Sequence, residues 1–491
     1  MRKDYYMSTR HKRTYANFDL EVGESASFPL RDGRRKTVRL IGLHEQRDSV
    51  RGVIRKPVVT LDVDGERREI VSAHYRMPVV VNGVRLDCPV TRGISDSVNA
   101  GEPGIFYALD KAARIRCWDP EARLFGEKPM VYPVKQSWFA GMTQMGNERV
   151  YVDAGELNGN PPGIMIYHHY GLDFGGFDAA VPIMSVAPAR IITLGMNVAA
   201  GENWPLDPPH VDGIQAQGED GRFFRYAHLD MFAPDLHPGD DIVPGQFLGF
   251  LGQEGGSGGW AHLHLGIFEM MPSGRFGQVE AYCFAVEAYL NEHPGELLAC
   301  ARPHQVAAPG EPVELDGTNS ICDGGKIVSY EWNGQDGRIT CGTVVTRIYQ
   351  REGMYSEMLV VTDDRGRSEV DFCVVQILPK DLDPARTPPT MSVNYYPACG
   401  LHAGQPIAFA ARTFFKRYKE NEGGVEEWDF GDGARAVSCS RDNYPEHRHD
   451  GYRQRWHAYE RPGRYIITVR RTGRNGLMAT AQLKVDIHAV K

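Results

Sequence analysis

The chain has 491 residues, 42% hydrophobic and 24% charged, with a formal net charge of -8 and a pI near 6.1. That length exceeds what one hydrophobic core supports, so about three or four domains are expected. The acidic balance supplies no basic face for nucleic acid, and no apolar run reaches the roughly 18 residues of a membrane span.

The 54 glycines and 31 prolines point to many turns and a β-rich chain. The opening "MRKDYYMSTRHKRTYANFDLEV" carries positive charge with no apolar segment behind it, so no secretory leader is read there. Residues 1–130 read as an N-terminal β domain of unknown role. In "VTLDVDGERREIV" and "VVVNGVRLDCPV", Asp64-Gly65 and Asn82-Gly83 sit between alternating arms, as tight hairpin turns require. "HEQRD" at His44 begins like a zinc-protease helix, but Asp48 stands where the second histidine belongs and a strand-like run precedes it.

Residues 131–295 hold the histidines of most interest. "IMIYHHYGLDF" contains His169-Tyr-Gly-Leu-Asp173, "FRYAHLDMF" contains His228, and "GGSGGWAHLHLGIF" contains His262 and His264. In a strand, residues i and i+2 share a face, so both imidazoles point one way while Leu263 and Leu265 turn to a core. The pair alone is weak evidence, because 17 histidines give roughly half a His-x-His by chance. A second copy, His447-Arg-His449, reads as part of a solvated loop. Beside the ligand candidates, His168 reads as structural, His237 before Pro238-Gly239 as a turn residue, and Tyr226 as either an oxyanion support or packing. Gly171 would let the chain turn, and Gly255, Gly256, Gly258 and Gly259 would let backbone approach an extended peptide. "FAVEAYLNEHP" (284–294) is expected to be a helix with one apolar face, stopped by Pro294.

An internal repeat follows. "VSYEWNGQDG" and "IYQREGMYSEMLVVTDDRG" are echoed by "VEEWDFGDG" and "HAYERPGRYIITVRRTGRNG". Each copy has a tryptophan strand, a Gly/Asp turn and a tyrosine-bearing strand, which implies two β-sandwiches at 296–380 and 386–491. "LPKDLDPARTPPT" joins them as a linker. The copies resemble PKD repeats; "WDFGDG" from Trp428 matches that family's signature and "WNGQDG" from Trp332 matches it loosely. The resemblance implies spacers or modules for glycan or protein binding. Asp323, Asp363 and Asp364 offer carboxylates for calcium on the repeats, but read first as turn residues. Nine cysteines, in even numbers within most segments, permit disulfides without requiring them.

The ordered histidine motifs resemble the lysostaphin-type (LytM-like) zinc endopeptidases of bacterial cell walls. The resemblance implies His169, Asp173 and His264 as ligands of Zn2+, with His228 and His262 as the catalytic histidines. His262 takes the base role, and His228 stabilises the oxyanion or shuttles a proton. Such a donor set suits a catalytic zinc with a fourth position for water. In place of the family's Gly-Thr-Pro-Val segment this chain has "AAVPIMSVAPARI", and Trp260-Ala261 replaces a common Gly-Pro pair, which bears on substrate preference.

The expected fold is therefore mainly β and multidomain: an N-terminal β domain, an antiparallel-sheet zinc peptidase domain and two C-terminal β-sandwiches. The expected activity is hydrolysis of peptide cross-links or bridges of peptidoglycan by a zinc-activated water assisted by two histidines. The competing reading is a catalytically inactive cell-wall-binding or adaptor protein on the same scaffold. Analogy places the chain in the extracellular or periplasmic space.

Overall fold

The structure is a computed structural model that describes residues 13–72, 75–96, 106–138, 169–201, 208–381, 383–415, 419–441 and 451–490. The chain is nearly all β, in several antiparallel sheets. No helix among the described residues is long and apolar enough to cross a membrane.

Two four-stranded sheets form the N-terminal part. One runs Tyr15–Leu20, Ala113–Trp118, Val84–Thr91, Val79–Val81, and the other Ser25–Pro29, Arg35–Arg47, Ile54–Val63, Glu66–Val71. Period-two alternation sends Val59, Leu61 and Val63 inward, against Leu86, Ile115 and Cys117 of the facing sheet. Both hairpin turns behave as their sequences require, with positive φ at Asp64 (47°), Gly65 (93°), Asn82 (43°) and Gly83 (77°).

The middle part is built on an eight-stranded sheet. Its central strands are Ile214–Gly218, Phe223–Ala227 and His262–Met270, and Leu172–Gly175 pairs with the last of these. A three-stranded sheet of Pro182–Met184, Phe247–Leu251 and Leu229–Phe232 lies beside it. The expected helix spans Tyr282–Glu292, two residues earlier than its apolar spacing suggests. It is not one-faced: Tyr282, Cys283, Phe284, Ala285, Val286, Ala288 and Tyr289 are all buried. The cause is its position between modules. Phe284 meets Tyr15 of the N-terminal sheet at 5.6 Å, and Tyr289 meets Trp138 at 5.0 Å.

The repeat appears as two matching geometries. Trp332 and Trp428 are buried at the centres of separate cores, paired to Leu359 and Val469 of neighbouring strands. In each copy a tyrosine hydroxyl donates to a carbonyl four residues earlier: Tyr355 to Arg351 O and Tyr465 to Arg461 O, both at 2.9 Å. The turn aspartates of "WDFGDG" do turn work, Asp429 accepting from Gly431 N and Asp432 from Ala434 N. All nine cysteines are free thiols. His447 and His449 lie outside the described residues, as does His168.

The second sandwich is joined to the middle part as well as to the first. Strand Ile407–Phe414 is buried along its whole length. Ile407, Phe409 and Ala411 fill the sandwich's own core, while Ala408 and Ala410 belong to the core that surrounds the histidines' strands. A strand with two buried faces is a wall between two units, not a free surface.

Candidate active site

The site grows from one strand pairing. His262–Met270 runs antiparallel to Leu172–Gly175 in a register that sets His264 opposite Asp173 and His262 opposite Gly175. Directly opposed residues share a face about 5 Å apart at Cβ, so Asp173 joins both histidines on one side. On the other side Leu263, Leu265 and Ile267 are fully buried beside Leu172 and Phe174. The alternation in "HLHLGI" therefore sorts polar from apolar as expected.

His169 precedes this strand through Gly171, whose φ is +85°. A Cβ there would lie 2.7 Å from the His264 ring, so the position is closed to side chains on two counts. The chain consequently folds His169 back over His264. His169 Nε2 lies 3.2 Å from His264 Nδ1 and 3.2 Å from Asp173 Oδ1, and His264 Nδ1 lies 2.9 Å from the same oxygen. Donor atoms about 2.0–2.2 Å from a tetrahedral zinc lie about 3.3–3.6 Å apart, so this triangle needs only slight opening to hold one. Two imidazole nitrogens and one carboxylate oxygen are also the donor types zinc takes. The residues present fit the ion.

Burial opposes charge on Asp173, yet His169 and His262 nearby and hydrogen bonds from His169 and His264 hold its carboxyl well below the usual range. Desolvation pushes the imidazoles down despite Asp173, His262 to about 4 and His264 to about 3. His262 and His264 thus present neutral rings beside an anion.

His228 sits where Phe223–Ala227 ends, next to Ala227, which pairs with His264. Its ring centroid is 4.8 Å from that of His262 and 6.0 Å from that of His264. The residue has φ +70°, unusual for a side chain with a Cβ. Asp212 holds it there: one carboxylate oxygen accepts from the His228 backbone N–H at 3.0 Å and lies 3.0 Å from ring Nδ1. The same Nδ1 lies 2.8 Å from Glu254 O. Flanked by two acceptors, Nδ1 must carry the proton. Burial notwithstanding, bonds from His228 bring the Asp212 carboxyl down to about 2. His262 Nδ1 likewise lies 2.9 Å from Trp260 O, which leaves its Nε2 directed to Asp173 Oδ2 at 3.6 Å.

The structure thus brings all five sequence-derived candidates into one pocket. Three neighbouring readings resolve too. Tyr226 packs: its buried hydroxyl accepts from Val186 N at 3.0 Å. His237 is an exposed turn residue near Asp240. Cys322, Asp363 and Asp364 form a second cluster of potential donors, but Arg367 already pairs with Asp363 at 2.7 Å and neutralises it. Asp212 was not visible as a site residue. Its only sequence signal is an Asp-Gly dipeptide, which reads as a turn, and Gly255 is the one further trace: a Cβ there would strike the Asp212 carboxylate.

Residues 297–377 match the family model described as PKD domain. The chain carries a PKD domain. Collagenase ColQ1 of Bacillus cereus (strain Q1) is 39% identical over 67 residues, which is 14% of this chain and 7% of that protein. The chain therefore spans a small fraction of the length of this curated relative. Among solved structures, lytM from Ruminococcus gnavus is 26% identical, covering 33% of this chain and 61% of its own, with a TM-score of 0.21. The antimicrobial peptidase lysostaphin from Staphylococcus simulans is 17% identical over 50% of this chain and 95% of its own, TM-score 0.20. The PKD1 domain of Vibrio anguillarum Epp is 26% identical over 16% of this chain and 92% of its own, TM-score 0.15.

Proposed function

We propose that the chain is a zinc-dependent endopeptidase that hydrolyses peptide cross-links or bridges of bacterial peptidoglycan. The observation that supports this reading is the triangle of His169 Nε2, Asp173 Oδ1 and His264 Nδ1, edged by two further imidazoles whose Nδ1 atoms are engaged elsewhere. His169, Asp173 and His264 would hold the ion, and one carboxylate against one divalent cation would leave it electrophilic. Bound there, zinc supplies Lewis acidity that polarises a carbonyl and lowers the pKa of water from 15.7 to about 7.

The chain's own residues manage the protons. His262 donates Nδ1–H to Trp260 O, so its neutral ring offers a lone pair at Nε2, inside the pocket, to take a proton. His228 keeps its Nδ1 proton between Glu254 O and Asp212; a second proton at Nε2 would make it a donor to developing negative charge, with Asp212 as counter-ion. The domains divide as an N-terminal β domain (1–130), the peptidase (131–295) and two PKD-type sandwiches (296–380 and 386–491), the last two placing the enzyme on the wall polymer. An extracellular or periplasmic site of action accords with that substrate.

Metal analysis of purified protein combined with turnover of purified peptidoglycan tests the proposal. One zinc per chain and release of new amino termini, both lost in His264→Ala, is the expected result. Folded protein that takes up no zinc and leaves the polymer uncut, yet sediments with it, would instead make the chain a wall-binding adaptor.

A further inference from the structure

The glycine-rich segment 252–261 links strand Phe247–Leu251 to strand His262–Met270, and it supplies the carbonyls that orient both assisting histidines. Glu254 O meets His228 Nδ1 and Trp260 O meets His262 Nδ1, at 2.8 and 2.9 Å. Within the middle part the segment is tied by Gln253 Nε2, which donates to Asp178 Oδ2 at 2.6 Å, and by Gly176 N, which donates to Ala261 O at 3.2 Å. His262 N donates to Gly252 O, and Ser257 Oγ bridges Gln253 O and Gly259 N. With glycine at 255, 256, 258 and 259, such a loop has much backbone entropy to lose.

Further ties come from the second sandwich, more than 150 residues further on. Arg412, fully buried on strand Ile407–Phe414, donates from Nη1 to Gln253 Oε1 at 2.8 Å and to Gly259 O at 3.1 Å. One nitrogen thus clasps both legs of the loop. Its own Nε donates to Arg441 O at 3.1 Å, and a Cβ at Gly451 would lie 2.0 Å from its guanidinium, so the sandwich closes tightly around it. Tyr452 Oη accepts from Ala261 N at 3.1 Å, one residue before His262, and donates to Ser392 Oγ at 3.1 Å. Phe414 stacks on Trp260 at 4.8 Å with planes 9° apart. Positions 253, 259, 260 and 261 therefore all take a contact from the second sandwich.

We propose that the second sandwich is a component of the catalytic unit, in which Arg412 and Tyr452 are positioning residues that set the rings of His228 and His262 through the carbonyls of segment 252–261. This inference rests on the peptidase reading for its kinetic consequence, though not for its structural one. The three donor side chains lie outside the clasped loop, held by strand pairing and by Gly171, so the clasp affects proton handling without affecting metal uptake.

The test uses the full chain carrying Arg412→Met, Arg412→Lys or Tyr452→Phe. Three quantities are read: zinc per chain, kcat and KM on a soluble peptidoglycan peptide, and imidazole 15N shifts of His228 and His262 in metal-free protein. Folded Arg412→Met is expected to keep its zinc and a KM within about threefold, to lose about 10²-fold in kcat, and to show mixed tautomers at both rings. Arg412→Lys restores part of kcat, since an ammonium can bridge the same two oxygens less rigidly. Tyr452→Phe falls by about tenfold in the same sense. Folded Arg412→Met with kcat within twofold and Nδ1–H tautomers intact overturns the proposal. Should Arg412→Met not fold, Tyr452→Phe decides: unchanged kcat and unchanged shifts overturn it equally. Wild-type protein that neither binds zinc nor cleaves peptide would refute the peptidase reading, while the imidazole shifts would still answer for Arg412.

Discussion

His169, Asp173 and His264 are fixed by strand pairing and by a glycine that seats one ring on the chain, whereas the Nδ1 atoms of His228 and His262 also meet carbonyls of a glycine-rich loop. The first arrangement is local to the sheet. Pairing of two strands sets donor spacing to a few tenths of an ångström and would survive changes elsewhere in the molecule. The second is tied also to a distant module, through Arg412 and Tyr452. On the proposed reading, metal affinity and proton handling fall to separate parts of the structure, so each can be disturbed with the other left standing.

The largest effect should come from the donor set. His264→Ala removes one corner of the triangle, and both zinc content and turnover should be lost, turnover by about 10³-fold or more. Retention of stoichiometric zinc in that variant would show that the metal sits elsewhere. Next comes His262→Ala, which should keep its zinc and lose about 10²- to 10⁴-fold in kcat, the span of general acid–base contributions; loss of zinc as well would dissolve the division between the two regions.

Asp212→Asn sharpens the comparison from the second region. It leaves the ring and its Glu254 bond in place but removes the counter-ion, so kcat should fall by about 10- to 100-fold with zinc retained. The same change has a pH signature in stability. The Asp212 carboxyl titrates near 2 when folded, against 3.8 ordinarily. A depressed acid stabilises above its unfolded pKa and loses that contribution as pH falls through the folded one. The wild-type advantage over Asp212→Asn in denaturant midpoint should therefore be full at pH 6 and shrink between pH 3.8 and about 2; a gap that is constant with pH would place the effect in packing instead.

The smallest effect is expected at the other sandwich. Lys56 pairs with Glu314 at 2.8 Å across the contact between the N-terminal part and the first sandwich, with both side chains well exposed. Lys56→Ala should change stability by no more than about 1 kcal/mol and kcat not at all. A kinetic effect there would mean that both sandwiches, and not the second alone, bear on the site.

Much of the site was legible because its chemistry is written at short range. His169 and Asp173 are four residues apart around a glycine, and His262 and His264 alternate with leucines, so spacing alone selects a face. The paired tryptophans and tyrosines of the repeat were equally readable, and Trp332 and Trp428 do occupy matching cores. What spacing could not carry were partners that act across the fold. Asp212 reads as a turn residue until His228 folds against it, and Arg412 reads as an ordinary strand position until Gln253 and Gly259 arrive. The helix shows the same limit: its apolar spacing describes one face, but two modules close around it and bury nearly all of it.

By itself, then, the sequence determined the β-rich class, the repeat and the common face of the two leading histidines, because a strand's period of two is a property of neighbouring residues. Only the tertiary structure decided that Asp173 would lie opposite His264 and that a distant sandwich would clasp the loop between strands Phe247–Leu251 and His262–Met270. Those outcomes depend on the register of the Leu172–Gly175 and His262–Met270 pair and on burial of both faces of Ile407–Phe414, and such free energies exist only once remote segments meet.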